Sequence, residues 1–134
     1  MLAIEYVLVD HPALSEKADQ YALIRVDTAA VLRSWRGSLF AHRWLDADGT
    51  LKVPRALGEE ERKARLHVEE DIAAGKALRR PLLGIGILET VEFCMGAAEF
   101  LVLADRGVDA LEVHIRAGQQ KDFQNLGLAL GLDA

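Results

Sequence analysis

Between Leu78 and Ile115 the apolar positions change period several times, and each change marks an element. Leu82 to Leu88 is an apolar run interrupted by Gly84 and Gly86, and it predicts a strand. Thr90 to Cys94 alternates and predicts a second strand. Beyond Gly96, residues Ala97, Phe100, Leu101 and Ala104 recur at helical spacing until Gly107, a residue suited to ending a helix. Leu111 to Ile115 predicts another strand, so the unit reads strand, strand, glycine-led helix, strand.

The rest of the chain arranges itself around this unit. Ala3 to Val9 and Tyr21 to Val26 are β-rich and predict strands, the first closed by His11-Pro12 because a residue before proline avoids helical geometry. Leu14 to Gln20 predicts a short helix or loop. Asp27 and Thr28 can cap a short helix that buries Ala30, Val31 and Trp35. Ser38 to Leu45 fits a strand, with Asp48-Gly49 turning the chain back through Thr50 to Val53. Glu59 to Ala74 is a helix that opens on three glutamates, closes at Gly75 and carries a narrow stripe of Ala64, Val68 and Ile72. Gln119 to Leu130 predicts a C-terminal helix burying Phe123, Leu126 and Leu130, and the apolar tail LGLALGLDA can dock on the body or on another subunit of a homo-oligomer. This order predicts one α/β (α+β) domain over residues 1–134, a small mixed sheet with flanking helices.

Composition narrows the function classes. About half of the 134 residues are apolar, 51%, with 28% charged, enough to bury a core. The N-terminal MLAIEYVLVD lacks a basic leader and reads as a strand, and no apolar run approaches a membrane span, so a cytoplasmic protein is expected. The single Cys94 fits a reducing compartment. A net charge of −5 disfavours non-specific nucleic-acid binding, which rests on lysine and arginine neutralising phosphates, and leaves a protein as the expected partner.

From Tyr21 to about residue 116 the chain resembles the ParB N-terminal and sulfiredoxin-like fold family. The resemblance rests on Ile24-Arg25-Val26-Asp27 with the helix after it, on Asp71-Ile72 to Gly75 leading into Arg79-Arg80-Pro81-Leu82-Leu83, and on Gly96, its helix and Leu111-Glu112-Val113-His114-Ile115. In that family a glycine opens a motif of the G-E-R-R or G-x-H-R type whose arginine contacts nucleotide phosphate, and sulfiredoxins place a reactive cysteine just before His-Arg. Here Gly96 is followed by Ala97, Ala98, Glu99 and Phe100, and Cys94 precedes it with no His-Arg after. The resemblance therefore implies the fold with a degenerate motif.

Gly96, Glu99, Arg79 and Arg80 are the ligand-binding candidates, because they surround the place of that motif. A glycine before a helix can present backbone N–H groups to an anion, although a turn requirement explains it as well. Glu99 in the first turn suits the helix dipole without any ligand. Cys94 between Phe93 and Met95 reads as a buried small hydrophobe. Arg33, Trp35, Arg36, Arg43 and Trp44 form a basic-aromatic cluster of the kind found at protein hot spots and single-stranded nucleic-acid sites. No two of His11, His42, His67 and His114 stand at ligand spacing, and Asp46, Asp48 and Gly49 lack the later acid of a calcium loop, so neither a metal nor a cofactor is expected. The leading expectation is a non-catalytic interaction or regulatory module of plasmid, phage or defence context. The alternatives are a nucleotide-dependent or nucleic-acid-acting enzyme built on Glu99, Arg79 and Arg80, and a nucleic-acid binder using the Arg33 to Trp44 cluster.

Overall fold

The computed structural model describes residues 6–17, 19–38 and 40–130. A five-stranded mixed sheet forms its centre, in the order β5, β4, β6, β2, β7. These strands are β2 (Tyr21–Asp27), β4 (Leu82–Ile85), β5 (Val91–Met95), β6 (Ala110–Arg116) and β7 (Ala129–Leu130). β4 and β6 run parallel and the other pairs antiparallel. The mixed α+β class and the shared sheet of Tyr21–Asp27, Leu82–Ile85, Val91–Met95 and Ala110–Arg116 agree with the sequence pattern.

One face of the sheet carries the core. Leu111, Val113 and Ile115 of β6 are buried, and so are Ile24 and Val26 of β2. Period-two geometry sends Glu112, His114 and Arg116 to the opposite face. The core is closed by α2 (Thr28–Trp35), α3 (Glu59–Ala73) and α4 (Ala97–Asp105), which contribute Val31, Trp35, Val68, Phe100, Leu101 and Leu103. Asp27 caps α2 by accepting the Ala29 N–H at 3.1 Å. Ser34 of α2 accepts the Val91 N–H at 2.9 Å, so part of the exposed edge of β5 is satisfied from the helix side. α3 presents Val68 inward and its charged residues outward, in keeping with the stripe in the sequence.

Several elements differ from the sequence pattern. The described part of the first strand is β1 (Leu8–Val9), which pairs in parallel with β3 (Leu78–Arg79) in a separate two-stranded sheet; residues 1–5 of the expected strand lie outside the described residues. A short α1 (Pro12–Ser15) follows. Among the described residues, the stretch from Ser38 to Leu45 forms no strand: the 3₁₀ turn Ala41–Arg43 lies there, with a lone bridge between Leu45 and Leu51. The helix packing of Trp35, Ala41 and Trp44 overrides any alternation in this segment. β4 stops at Ile85, because Gly86 to Thr90 folds into the turn toward β5. The C-terminal helix is only α5 (Gln120–Asn125). Gly127, with φ +71°, ends it and lets Ala129–Leu130 return as an edge strand on β2. Phe123 is buried as expected, whereas Leu126 and Leu130 are exposed and Leu128 takes the buried place.

Candidate functional site at the motif helix

Gly96 has φ +80°, the left-handed region that favours glycine. A Cβ built there would lie 2.9 Å from Pro81 Cα, closer than real side chains approach. Pro81 is itself fixed, since its carbonyl accepts the His114 N–H at 2.9 Å. The glycine is thus required by the turn into α4 and by the passage of the β3–β4 connection beside it. Ala97 and Ala98 follow, and Glu99 supplies the acid of the first helical turn. Near this helix start is a cavity of about 160 Å³ that reaches Ala97, Trp35, Phe40, Arg43, Glu61 and Phe93. It is smaller than the roughly 300–1,000 Å³ of ordinary small-ligand sites.

The two arginines expected at the rim differ in their placement. Arg79 is exposed on β3. Arg80 pairs with Asp10, and its second terminal nitrogen lies 3.0 Å from Glu112 on the face of β6 away from the core. Its Nε is buried without a hydrogen-bond partner. Arg80 is therefore engaged by two carboxylates beside the N-terminal segment. Close by, the buried His114 accepts the His11 N–H through Nε2 at 3.2 Å. That bond needs an unprotonated Nε2. Burial pushes the His114 pKa down from its ordinary value, with Arg80 and His11 adding to the effect and Asp10 and Glu112 opposing it.

Cys94 corrects the sequence reading: it is exposed. Leu82 pairs with Met95 and Leu83 with Phe93, so Cys94 is the extra residue of a β-bulge. Phe93 goes to the core against Trp35 and Phe100, at ring-centroid distances of 4.8 and 5.0 Å. The Cys94 sulfur lies over Gly84, 3.4 Å from where a Cβ would stand. Partial desolvation raises its thiol pKa, with Arg116 pulling the other way.

The basic-aromatic cluster does not form one exposed surface. Trp35 and Trp44 are buried in the core, while Arg33, Arg36 and Arg43 are exposed. Arg43 stacks over Phe40 at 5.4 Å, and Arg36 lies against Gly49. Arg36 also lines an open cavity of about 760 Å³ with His42, Asp46 and Lys52, a different cavity from the one that Arg43 lines. The Asp46 to Thr50 loop is a turn closed on itself. The Thr50 hydroxyl and N–H both donate to Asp48, and the hydroxyl above all holds the Asp48 carboxyl below its usual pKa. Among the described residues no group of histidine, cysteine and acidic side chains is placed to hold a metal, and no helix is long and apolar enough to cross a membrane.

A feature missed in the sequence is the β4–β5 turn. Ile87 is 101% exposed and Leu88 61%, and Glu89 has φ +59°. The available signal was the Gly86 to Thr90 segment itself, where the apolar run hid a turn.

No family model and no curated protein matches the sequence. Among solved structures the chain is similar to the crystal structure of Oncogenic Suppression Activity Protein, a plasmid fertility inhibition factor, determined as a gold(I) cyanide derivative. The TM-score is 0.60 at 16% identity, over 87% of this chain and 61% of that one. At this identity the likeness shows a common fold, and the chain spans 61% of the neighbour's length.

Proposed function

We propose that the chain is a non-catalytic interaction or regulatory module with a degenerate ParB/sulfiredoxin-like motif, acting in the control of plasmid transfer. The observation that carries this reading is the fold shared with a plasmid fertility inhibition factor over 87% of the chain. The motif helix supports its non-catalytic part. A triphosphate pocket supplies arginine or lysine in close contact. Here α4 begins Ala97-Ala98-Glu99, and Arg80 is engaged by Asp10 and Glu112. A phosphate 4 Å from Glu99 would meet a repulsion of about 4 kcal/mol per unit charge at an effective dielectric near 20. The helix dipole returns only about 0.3–1 kcal/mol.

The test has two arms. Conjugation frequency is measured from donors carrying a transmissible plasmid, with and without the chain expressed; a fall in transfer is expected. Calorimetry with CTP and ATP, with and without magnesium, is expected to show no micromolar binding. Unchanged transfer across several plasmid types would overturn the transfer role. Micromolar nucleotide binding lost in Arg79→Ala with Arg80→Ala would replace the module by a nucleotide-dependent enzyme.

A further inference from the structure

The β4–β5 turn breaks several local rules within a few residues. Gly86 accepts the Glu89 N–H at 2.9 Å and donates its own N–H to Thr90 at 3.0 Å, a tight hairpin loop. Such loops favour glycine, asparagine and aspartate, with glycine at the left-handed position. This loop places Ile87 and Leu88 in water and puts Glu89, not glycine, at φ +59°. A non-glycine residue held there costs about 1 kcal/mol or more. Departures from local preference that collect at one place mark function more often than accident.

Beside the tip lies a groove of about 450 Å³ between the hairpin and α5. Its apolar walls are Ile85, Ile87 and Leu126, and its acids are Glu89 and Asp122. No lysine or arginine lines it, and neither acid is in an ion pair among the described residues. Gln119 fixes the two sides together: its amide accepts the Ile85 N–H and donates to the Ile85 carbonyl, both at 3.1 Å. The groove sits at the opposite end of β5 from Gly96, away from the motif helix.

We propose that this groove and tip dock a basic, partly apolar segment of a partner protein. The occupant's lysine or arginine lays its aliphatic stem along Ile87 and Leu126 and turns its charge toward Glu89 and Asp122. Charge complementarity selects this occupant: two unpaired carboxylates repel an acidic peptide or an anionic lipid surface, and the apolar walls favour a side chain with a long stem over a bare cation. The inference deepens the interaction-module reading by naming the partner's chemistry. It is tested with purified protein, so it can fail while the transfer assay succeeds, and the reverse.

The experiment uses fluorescence anisotropy with three labelled peptides, of alternating lysine and leucine, lysine and serine, and glutamate and leucine, with backbone-amide NMR to locate binding. The lysine–leucine peptide is expected to bind, to shift residues 85–90 and 119–126, and to exceed the other two. Ile87→Ser is expected to weaken it by about three- to tenfold, the size of a lost partial apolar contact, and Glu89→Gly by about two- to fivefold, the size of an exposed ion pair. Glu89→Gly also relieves the positive φ, so it should raise the melting temperature while lowering affinity, which separates docking from folding. Equal binding by the lysine–serine peptide, shifts elsewhere, no binding, or unchanged affinity in both variants overturns the proposal. Sedimentation showing self-association that Ile87→Ser abolishes would assign the tip to a second copy and overturn it too.

Discussion

Replacing Gly96 by alanine tests whether this glycine is held by the fold. Two separate costs arise. Alanine in the left-handed region loses about 1–2 kcal/mol. The new Cβ also meets Pro81 Cα at 2.9 Å, a backbone atom that cannot rotate away. Overpacking of this kind costs about 1–3 kcal/mol. Moving Pro81 would disturb the His114 N–H to Pro81 bond that ties β4 to β6. The sum is about 2–5 kcal/mol. Gly107 provides the control, because it has φ +92° but nothing within 4 Å of a built Cβ. Gly107→Ala should cost only the conformational part, about 1–2 kcal/mol. The stiffening of the unfolded chain is common to both substitutions and cancels in their difference. At about 4 °C per kcal/mol, thermal unfolding followed by circular dichroism should drop by roughly 8–20 °C for Gly96→Ala and roughly 4–8 °C for Gly107→Ala. Equal shifts in the two variants would refute the contact with Pro81 as the reason for the glycine.

Cys94 should react fully with a maleimide in the native protein, and more slowly at neutral pH than a free thiol, because its position is exposed while its thiol pKa is raised; labelling only after denaturation would show that the bulge is covered. His114 should make the fold acid-sensitive. Its folded pKa lies below the ordinary 6.5, so the unfolded chain binds more protons, and stability is full above about 6.5 and falls as pH drops toward the folded value. Urea unfolding across that window should show this slope in the wild type and a shallower one in His114→Leu; identical slopes would remove His114 as the cause.

Much of the fold was legible because it follows from period and punctuation. Val68 at the centre of a charged helix and the alternation of Leu111, Val113 and Ile115 each state their own burial, and Gly107 states the end of α4. Where tertiary contacts decide, the pattern failed. The bulge at Cys94 comes from the register of β4 against β5, a relation between strands that neither sequence stretch contains. The tryptophans stood out as part of a basic-aromatic cluster because arginines flank them, yet helical spacing had already placed Trp35 on the buried face with Val31. Of the candidate site, the turn at Gly96 could be read from the sequence, whereas the pairing of Arg80 with Asp10 and Glu112 could not, because those partners are far away along the chain.

The β4–β5 turn shows the same limit from the other side. A run of Leu82 to Leu88 is the expected signature of a buried strand, and the two glycines within it were the evidence against continuous burial. Gly86 closes the hairpin hydrogen bonds and leaves Ile87 and Leu88 beyond the last strand pair, so the same apolar character that argued for a core position becomes a surface feature once the register is known. A folding requirement would have been met more cheaply by polar residues and a glycine at position 89. The cost carried there, and the unpaired acids beside it, therefore point to a constraint other than folding, and this is why the site most open to experiment is the one that the pattern of the sequence concealed.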